Sequence, residues 1–389
     1  MKVGYVLNSP KALGGASKAF KSMLNGLRQR GVSPIIILPG RGQMYDELCS
    51  MGITCFITNF RPNIYPKWLS LKEKALFLPR LMVWRFLNYR ARRALLKRLQ
   101  HEGVALIHTN VGVVDLGFWV SRRLGVPHLY HIREYADRDF GMHYYPRKAC
   151  FRKQLKADNS FSICITRDIQ RHHGQTDSPR SRVIYDGIRP TMTTRPAMAW
   201  GDYFLFAGRI ETTKGLDILL DAYAICQQKG WEVLPLKVAG RISEADYSER
   251  IHQFVTKQQL DHQVTFLGER SDINTLFSEA RALVVPSRYE GFGLCMPEAM
   301  FSCSLVLAHD TAGTHEQLEN GLRMTNTDIA LRFTTAEQLA LLLAEVTRSS
   351  AEKYANMVNN AFNVVNQLYT SEAHVSQVYD YYQDILSTR

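Results

Sequence analysis

Residues 282–300 read ALVVPSRYEGFGLCMPEAM. The apolar run Ala282–Val285 has the length and composition of a buried strand, and it ends at about Pro286. Pro297 suits the first position of a helix, where a missing N–H costs nothing. Glu298 would then hold the second position, near the positive end of the helix dipole. Between strand and helix lies a loop in which Gly291 and Gly293 let the backbone approach a ligand closely. Amides at such a helix start can bind phosphate oxygens. An ionised carboxylate only accepts hydrogen bonds, and its two oxygens match a pair of neighbouring hydroxyls. Glu290 and Glu298 therefore suit a ligand with hydroxyls on either side of a phosphate, such as a nucleotide-sugar. The alternative leaves Glu298 as a dipole-favoured surface acid and Glu290 as a solvated loop acid.

A second stretch, residues 206–223, FAGRIETTKGLDILLDAY, puts Gly208 and Arg209 at a strand end and Lys214 at a helix start. An arginine fork and a lysine point charge five positions apart can converge on one diphosphate. Alone, Lys214 reads as an ordinary helix-surface lysine, but ligands collect at the carboxyl ends of parallel strands. Short runs apolar throughout, as in buried parallel strands, recur along the chain: KVGYVLN, SPIIIL, ITCFI, VALIHTN, PHLYHIRE, FSICIT and RVIYDG, then YFLFAGR, LPLKVAG, QVTFLG, ALVVPS and SLVLAH. Helical patterns separate them, including 214–229 and 271–281. The βαβ rhythm predicts an α/β fold of two Rossmann-like doubly wound domains facing a central cleft. Residues 1–187 form the first domain and 202–370 the second. The stretch 188–201, with two prolines, three threonines and no periodicity, reads as a linker, and 371–389 as a C-terminal helix.

The net charge of +12 is unevenly spread: residues 1–200 hold 33 Lys and Arg against 12 Asp and Glu, and residues 201–389 hold 15 against 24. Residues 61–100 alone contain 11 cations and one acid, Glu73, interleaved with Trp68, Trp84 and many leucines. Such a segment suits an anionic membrane surface, with Trp68, Trp84, Arg85, Arg90, Arg92 and Arg93 as the contact residues. The plainer reading is a long helix packed on the sheet by one face, with Pro79 breaking or kinking it. No nucleic-acid motif accompanies the charge. The seven cysteines are scattered, odd in number and without a CxxC pair, which argues for a reducing compartment and against a structural zinc site. The N-terminus reads as a first strand and no apolar run approaches a membrane span, so the expected location is cytoplasmic, at the inner face of the cell membrane.

The blocks FAGRIETTKGLDILLDAYA and VTFLGER…LFSEARALVVPSRYEGFGLCMPEAM resemble those of the retaining glycosyltransferases of family 4, also called glycosyl transferase group 1, which have the GT-B fold. The resemblance is close over residues 201–320 and loose before them. It implies that Arg209 and Lys214 bind the donor diphosphate and stabilise the leaving group. Glu290 would contact the donor sugar and Glu298 the ribose hydroxyls, while Gly208, Gly291, Phe292, Gly293 and Leu294 would line the donor site. Gly14 and Gly15 resemble the glycine turn that approaches the substrates from the first domain, and His131 resembles a histidine that reaches the transferred sugar. The resemblance also implies a UDP- or GDP-linked donor, no metal or other cofactor, retention of anomeric configuration and an anionic lipid-linked or glycan acceptor, as in bacterial cell-surface polysaccharide synthesis. Two departures stand out. Ala312 replaces a glycine of the family's Gly-Gly-x-x-Glu run at 312–316, and Asp186 replaces an asparagine before Gly187.

Other residues carry weaker signals. Asp137 and Asp139 form an acid-x-acid triplet with Arg138 between them, but two cations at the diphosphate make a metal unnecessary. His108 faces either the ligand side or the core. Arg133 and Glu134 form a local ion pair or meet the acceptor, and His172–His173 reads as a surface pair. Cys295 lacks an evident base for thiol chemistry. A nucleotide-sugar epimerase of the same architecture and a non-catalytic membrane scaffold are the competing functions. An NAD-dependent dehydrogenase is disfavoured, since the first loop, NSPKALGGASK, lacks G-x-G-x-x-G.

Overall fold

A computed structural model describes residues 1–11, 14–66, 74, 76–198 and 200–388. It contains two compact units: Met1–Gly187 with Ser371–Arg389, and Ile188–Thr370.

The first unit is built on a seven-stranded parallel sheet in the order β3-β2-β1-β5-β6-β8-β9. Its strands are β1 (Lys2–Val6), β2 (Ser33–Leu38), β3 (Thr54–Ile57), β5 (Leu106–Thr109), β6 (His128–Ile132), β8 (Ser160–Cys164) and β9 (Ser181–Val183). Two further short strands, β4 (Ile64–Pro66) and β7 (Met142–Tyr144), pair antiparallel as a separate ribbon. The central strands β5 and β6 are buried along their whole length, and they bury the polar His108, Thr109, His128 and His131 as well as their apolar residues. Helix Gly15–Gln29 covers one face with Phe20, Met23, Leu24 and Leu27.

The helix Ser371–Ser387 completes this unit, although 183 residues of the second unit separate it in sequence. Its Val375, Val378, Tyr381, Tyr382 and Ile385 join the same core as Tyr5 and Leu24. Gly26 makes the contact possible: a Cβ there would lie 2.5 Å from Val375 Cγ2.

The second unit holds a six-stranded parallel sheet in the order β12-β11-β10-β13-β14-β15. These strands are β10 (Phe204–Ala207), β11 (Leu236–Ala239), β12 (Val264–Gly268), β13 (Ala282–Val285), β14 (Leu305–His309) and β15 (Leu331–Phe333). Both sheets thus have the doubly wound pattern of the GT-B glycosyltransferase fold. In each, chain order reverses across one strand pair, β1 and β5 in the first unit and β10 and β13 in the second. Ligands of such sheets bind outside the carboxyl ends of the strands at that reversal. The two motif-bearing loops, 208–215 and 286–294, follow β10 and β13.

Several expectations need refinement. The stretch 188–201 is not a loose tether where it is described. Ile188 N donates to Tyr369 O at 2.8 Å, and Met192 exchanges two backbone bonds with the Asn366 side chain, at 2.8 and 2.9 Å. Pro79 is the third residue of helix Phe77–Leu99, within a first turn, where proline is tolerated, and most of the basic segment before that helix lies outside the described residues.

Because the last helix supplies core to the first unit, Ile385→Ala should cost about 2–5 kcal/mol. Limited proteolysis should then cut faster within residues 1–187 while leaving 188–370 as resistant as before. Equal acceleration in both units would contradict this division.

Candidate active site

The loop after β10 is pinned to the end of β13 by backbone. Gly215 has φ of +67°, and a Cβ on it would fall 2.1 Å from the Pro286 carbonyl oxygen, so only glycine fits. Arg288 N donates to Thr213 O at 2.9 Å, and the Arg288 guanidinium holds both oxygens of Asp217 at 2.8 and 2.6 Å. On the other side, Gly240 lies so close to β10 that a Cβ would meet the Gly208 oxygen at 1.7 Å.

This docking delivers Lys214 to Glu290. Lys214 Nζ lies 2.5 Å from Glu290 Oε1, and the same oxygen accepts from Ser287 Oγ at 2.9 Å. Glu290 is buried and Lys214 nearly so. Burial works against the Lys214 ammonium, but the charge and hydrogen bond of Glu290 outweigh it and leave its pKa above the ordinary lysine value. Arg209, at the head of the same loop, is held 2.7 Å from Glu211 Oε2, and Thr213 Oγ1 binds the other Glu211 oxygen at 2.7 Å.

The loop 286–294 is shaped from behind by helix Ala312–Thr325. Gly313 N donates to Glu290 O at 3.0 Å, and Gln317 Nε2 donates to the carbonyl of Phe292. A Cβ at Gly313 would lie 2.7 Å from Gly291 O and 2.8 Å from Glu290 O. Gly293 turns the chain with φ of +84°, and Leu294 follows in helical geometry. Ala312, where the resemblance calls for glycine, does adopt φ of +47°, a conformation that costs a residue with Cβ about 1–2 kcal/mol.

The helix that follows runs Cys295–Phe301. It begins two residues earlier than the proline suggested, so Pro297 is its third residue and Glu298 its fourth. Proline is acceptable there because the first N–H groups of a helix have no intrahelical acceptor. Glu298 is half-buried, and its charge partly offsets the cost of burying the Arg189 guanidinium. Cys295 shows how the charges gather. Burial pushes its thiol up to about 12, the Glu290 and Glu298 carboxylates push the same way, and Lys214 opposes them. The thiol therefore stays protonated near neutral pH, which excludes a thiolate role.

The structure brings Arg209, Lys214, Glu290 and Glu298 to one end of the second unit, with Gly208, Gly291, Phe292, Gly293 and Leu294 in the loops between them. Gly313 is the glycine kept in the run at 312–316, whereas Ser287 and Gln317 were not singled out from the sequence. Ser287 carried a faint signal in its i, i+3 spacing from Glu290, whereas Gln317, 25 residues from Phe292, carried none.

In the first unit, Gly14 and Gly15 stand after β1, with Gly14 at φ of +89° immediately before the helix Gly15–Gln29. His131 is fully buried, so it offers no surface to a sugar. It lies within β6 and stacks between His108 and His374, with ring centroids 5.4 and 5.8 Å away. Burial, with help from Arg133, His108 and His374, holds its pKa well below the ordinary value. Arg133 follows just past the strand end, with its side chain largely buried. It binds both oxygens of Asp186, at 3.0 and 2.9 Å, and Asn110 Oδ1 at 2.6 Å. The Asp186 departure thus supplies a carboxylate to Arg133, an ion pair that asparagine would not make.

His131, Asp186 and His374 bring one ligand-type atom each to within 4.8 Å of one another. They are the group whose chemistry fits a metal among the described residues, although Arg133 already occupies the carboxylate. The triplet examined for that role does not assemble: Asp137 pairs with Lys148 at 2.8 Å and His172 at 2.7 Å, while Asp139 accepts from Tyr135 N at 2.9 Å. Glu134 is not an ion-pair partner of Arg133's guanidinium. Its oxygens accept from Gly112 N at 2.6 Å and Arg133 N at 3.1 Å.

Helix Phe77–Leu99 buries Leu81, Ala91, Leu95 and Leu99. Its outer side exposes Leu78, Met82, Phe86 and Tyr89 at helical spacing, beside the exposed Arg85, Arg90 and Arg93. Arg92 points inward instead, binding Asp115 at 2.8 Å and covering the Trp119 ring. Trp84 is half-buried. Trp68 lies outside the described residues. No described helix is long and apolar enough to cross a membrane.

The two doubly wound sheets have the fold of the GT-B glycosyltransferases. Residues 201–364 match the family "Glycosyl transferases group 1". An uncharacterised glycosyltransferase of Methanocaldococcus jannaschii is 26% identical over 57% of this chain and 61% of its own length. The O-antigen chain mannosyltransferase RfbU of Salmonella typhimurium is 42% identical, over 23% of this chain and 26% of its own length. The chain therefore aligns with about a quarter to three fifths of these curated relatives. Among solved structures, HepE of Anabaena, in complex with UDP and glucose, superposes with a TM-score of 0.76 at 20% identity, covering 99% of this chain and all of the other.

If Lys214 and Glu290 form one buried pair, Lys214→Met should destabilise the second unit by about 3–5 kcal/mol by leaving a buried carboxylate unpaired. Adding Glu290→Gln should recover most of that loss in denaturant titrations at neutral pH. The raised lysine pKa keeps the pair's contribution whole there and removes it only as pH climbs through that value. Additive effects of the two substitutions would refute the pairing.

Proposed function

We propose that this chain transfers a sugar from a nucleoside-diphosphate sugar to a membrane-associated, anionic glycan or glycolipid, in the building of a bacterial surface polysaccharide. The observation that carries the reading is the delivery of Lys214 to Glu290 at the β10/β13 reversal, with Arg209 on the same loop. In the donor complex, Lys214 and Arg209 turn to the diphosphate, the group on which charge builds as the glycosidic bond breaks. Fixed cations aimed at that charge lower the barrier without reorganisation. Glu290, released from Lys214, is then free to accept from hydroxyls of the sugar, and Glu298 from the ribose. The two cations neutralise the diphosphate themselves, so the reaction is metal-independent. Retention of anomeric configuration follows if the departing phosphate takes the acceptor's proton on the same face.

The acceptor class rests on the first unit. Helix Phe77–Leu99 presents apolar side chains flanked by arginines, as expected of a surface that rests on anionic lipid at the inner face of the cell membrane. The relatives support the pathway: RfbU is named for O-antigen chains, and LpcC of Rhizobium leguminosarum, 33% identical over 28% of this chain and 32% of its own length, for the lipopolysaccharide core. The HepE complexes with UDP and with UDP-glucose support a nucleotide-sugar donor.

Arg209→Ala should lower transfer by about 10²–10³-fold, as removal of one transition-state donor does elsewhere, with the fold intact by circular dichroism. A panel of UDP- and GDP-sugars with lipid-linked acceptors provides the assay, and EDTA should leave the parent rate unchanged. Full activity of the variant would overturn the donor-site assignment, and conversion of the donor without any acceptor would point to an epimerase.

Replacing Arg85, Arg90 and Arg93 together by Gln should weaken sedimentation with anionic vesicles about 100-fold, from about 1 kcal/mol per cation. Unchanged sedimentation would exclude this helix as the docking surface.

A further inference from the structure

The β4–β7 ribbon stands where the first unit's sheet emits its ligand-facing loops. β4 follows the carboxyl end of β3 through residues 58–63, and β7 follows that of β6 through residues 133–141. Beside the ribbon lies a cavity of about 270 Å³ whose lining includes Tyr65, His143, Arg147, Lys148 and Asp137.

The charges there favour an anion. Asp137 is engaged by two partners, Lys148 Nζ at 2.8 Å and His172 Nε2 at 2.7 Å. Lys148 Nζ also lies 2.6 Å from His172 Nε2, which leaves the third of its N–H groups to donate, and Arg147 is exposed with no carboxylate partner among the described residues. Arg138, next to Asp137, adds another positive charge: burial is the main cause that lowers the Lys148 pKa, and Arg152 and Arg138 act in the same direction against the pull of Asp137. An arginine fork beside a lysine suits phosphate oxygens.

The apolar side of the cavity has a direction too. His143 packs on the Tyr65 ring with centroids 5.3 Å apart, and Tyr65 packs on Phe77 at 5.0 Å. Phe77 is the first residue of the helix whose exposed apolar and basic face was described above. One continuous strip of aromatic surface therefore joins the cavity to that helix.

We propose that this cavity is an anion subsite that binds the phosphate or diphosphate borne by the acceptor. Arg147 and Lys148 face the phosphate oxygens, and the Tyr65 and His143 rings face the adjoining sugar or lipid. The identification of the ligand as an acceptor rests on the transferase reading; the binding of a phosphate does not.

The test uses inorganic pyrophosphate as the probe and calorimetric titration as the readout. It is made in the full chain carrying Lys214→Met and Glu290→Gln, which removes the donor-side ammonium. Adding Arg147→Glu should weaken pyrophosphate binding at least tenfold, and Arg147→Gln should weaken it less. Both changes fall on an exposed side chain and should leave the melting transition in place. Two competitors then separate the sources of the phosphate. Displacement by phosphatidylcholine vesicles carrying a polyprenyl diphosphate assigns a lipid-linked group, and displacement by glucose 1-phosphate a soluble phosphosugar. Unaltered pyrophosphate affinity in the Arg147 variants, or displacement by neither competitor, overturns the subsite. Absence of transfer with every donor would instead defeat the transferase reading and leave the binding result standing.

Discussion

A lysine and a glutamate that share a proton-rich contact of 2.5 Å, 76 residues apart in sequence, organise the second unit's ligand end. The pair exists only because two loops from neighbouring strands are forced together by backbone contacts that exclude any side chain at Gly215 and Gly313. In the free protein each charge compensates the other in a buried setting. A diphosphate can take the cation and leave the carboxylate available for hydroxyls. Ion pairs of this kind contribute little net stability relative to apolar residues of similar volume, so its presence at a strand reversal is better explained by ligand exchange than by folding.

The second unit was legible in its sequence to a degree that the first was not. Its strands were apolar runs bounded by Gly or Pro, and its candidate site residues sit within a few positions of those boundaries. β15 escaped notice because Leu331–Phe333 is three residues long and has a charged residue at its centre. The start of the helix at Cys295 was also missed. A proline inside a first turn is compatible with any of its early positions, so sequence alone does not select one.

The first unit misled in a more instructive way. His131 resembles a histidine that reaches the transferred sugar, but its strand is buried along its whole length and its ring lies between those of His108 and His374. Arg133, just past the end of the strand, is turned to Asp186. Arg92, three residues on from the exposed Tyr89 and next to the exposed Arg93, reaches back to Asp115 instead. The β4–β7 ribbon and its cavity left no readable trace, since three-residue strands 75 residues apart carry no periodicity. The contribution of Ser371–Ser387 to the first unit's core was likewise hidden by sequence distance.

The chain's two halves thus divide the chemistry by charge. The acidic second half sets Arg209 and Lys214 on the loop at its strand reversal, and the basic first half spreads its cations along a helix and around a cavity. The central claim is that Lys214 trades Glu290 for a phosphate. A crystal structure of the chain with UDP or GDP bound tests it most directly. The account predicts a phosphate oxygen within hydrogen-bonding distance of Lys214 Nζ, with Glu290 no longer in contact with it. A nucleotide bound elsewhere, with the Lys214–Glu290 pair still closed, would contradict it.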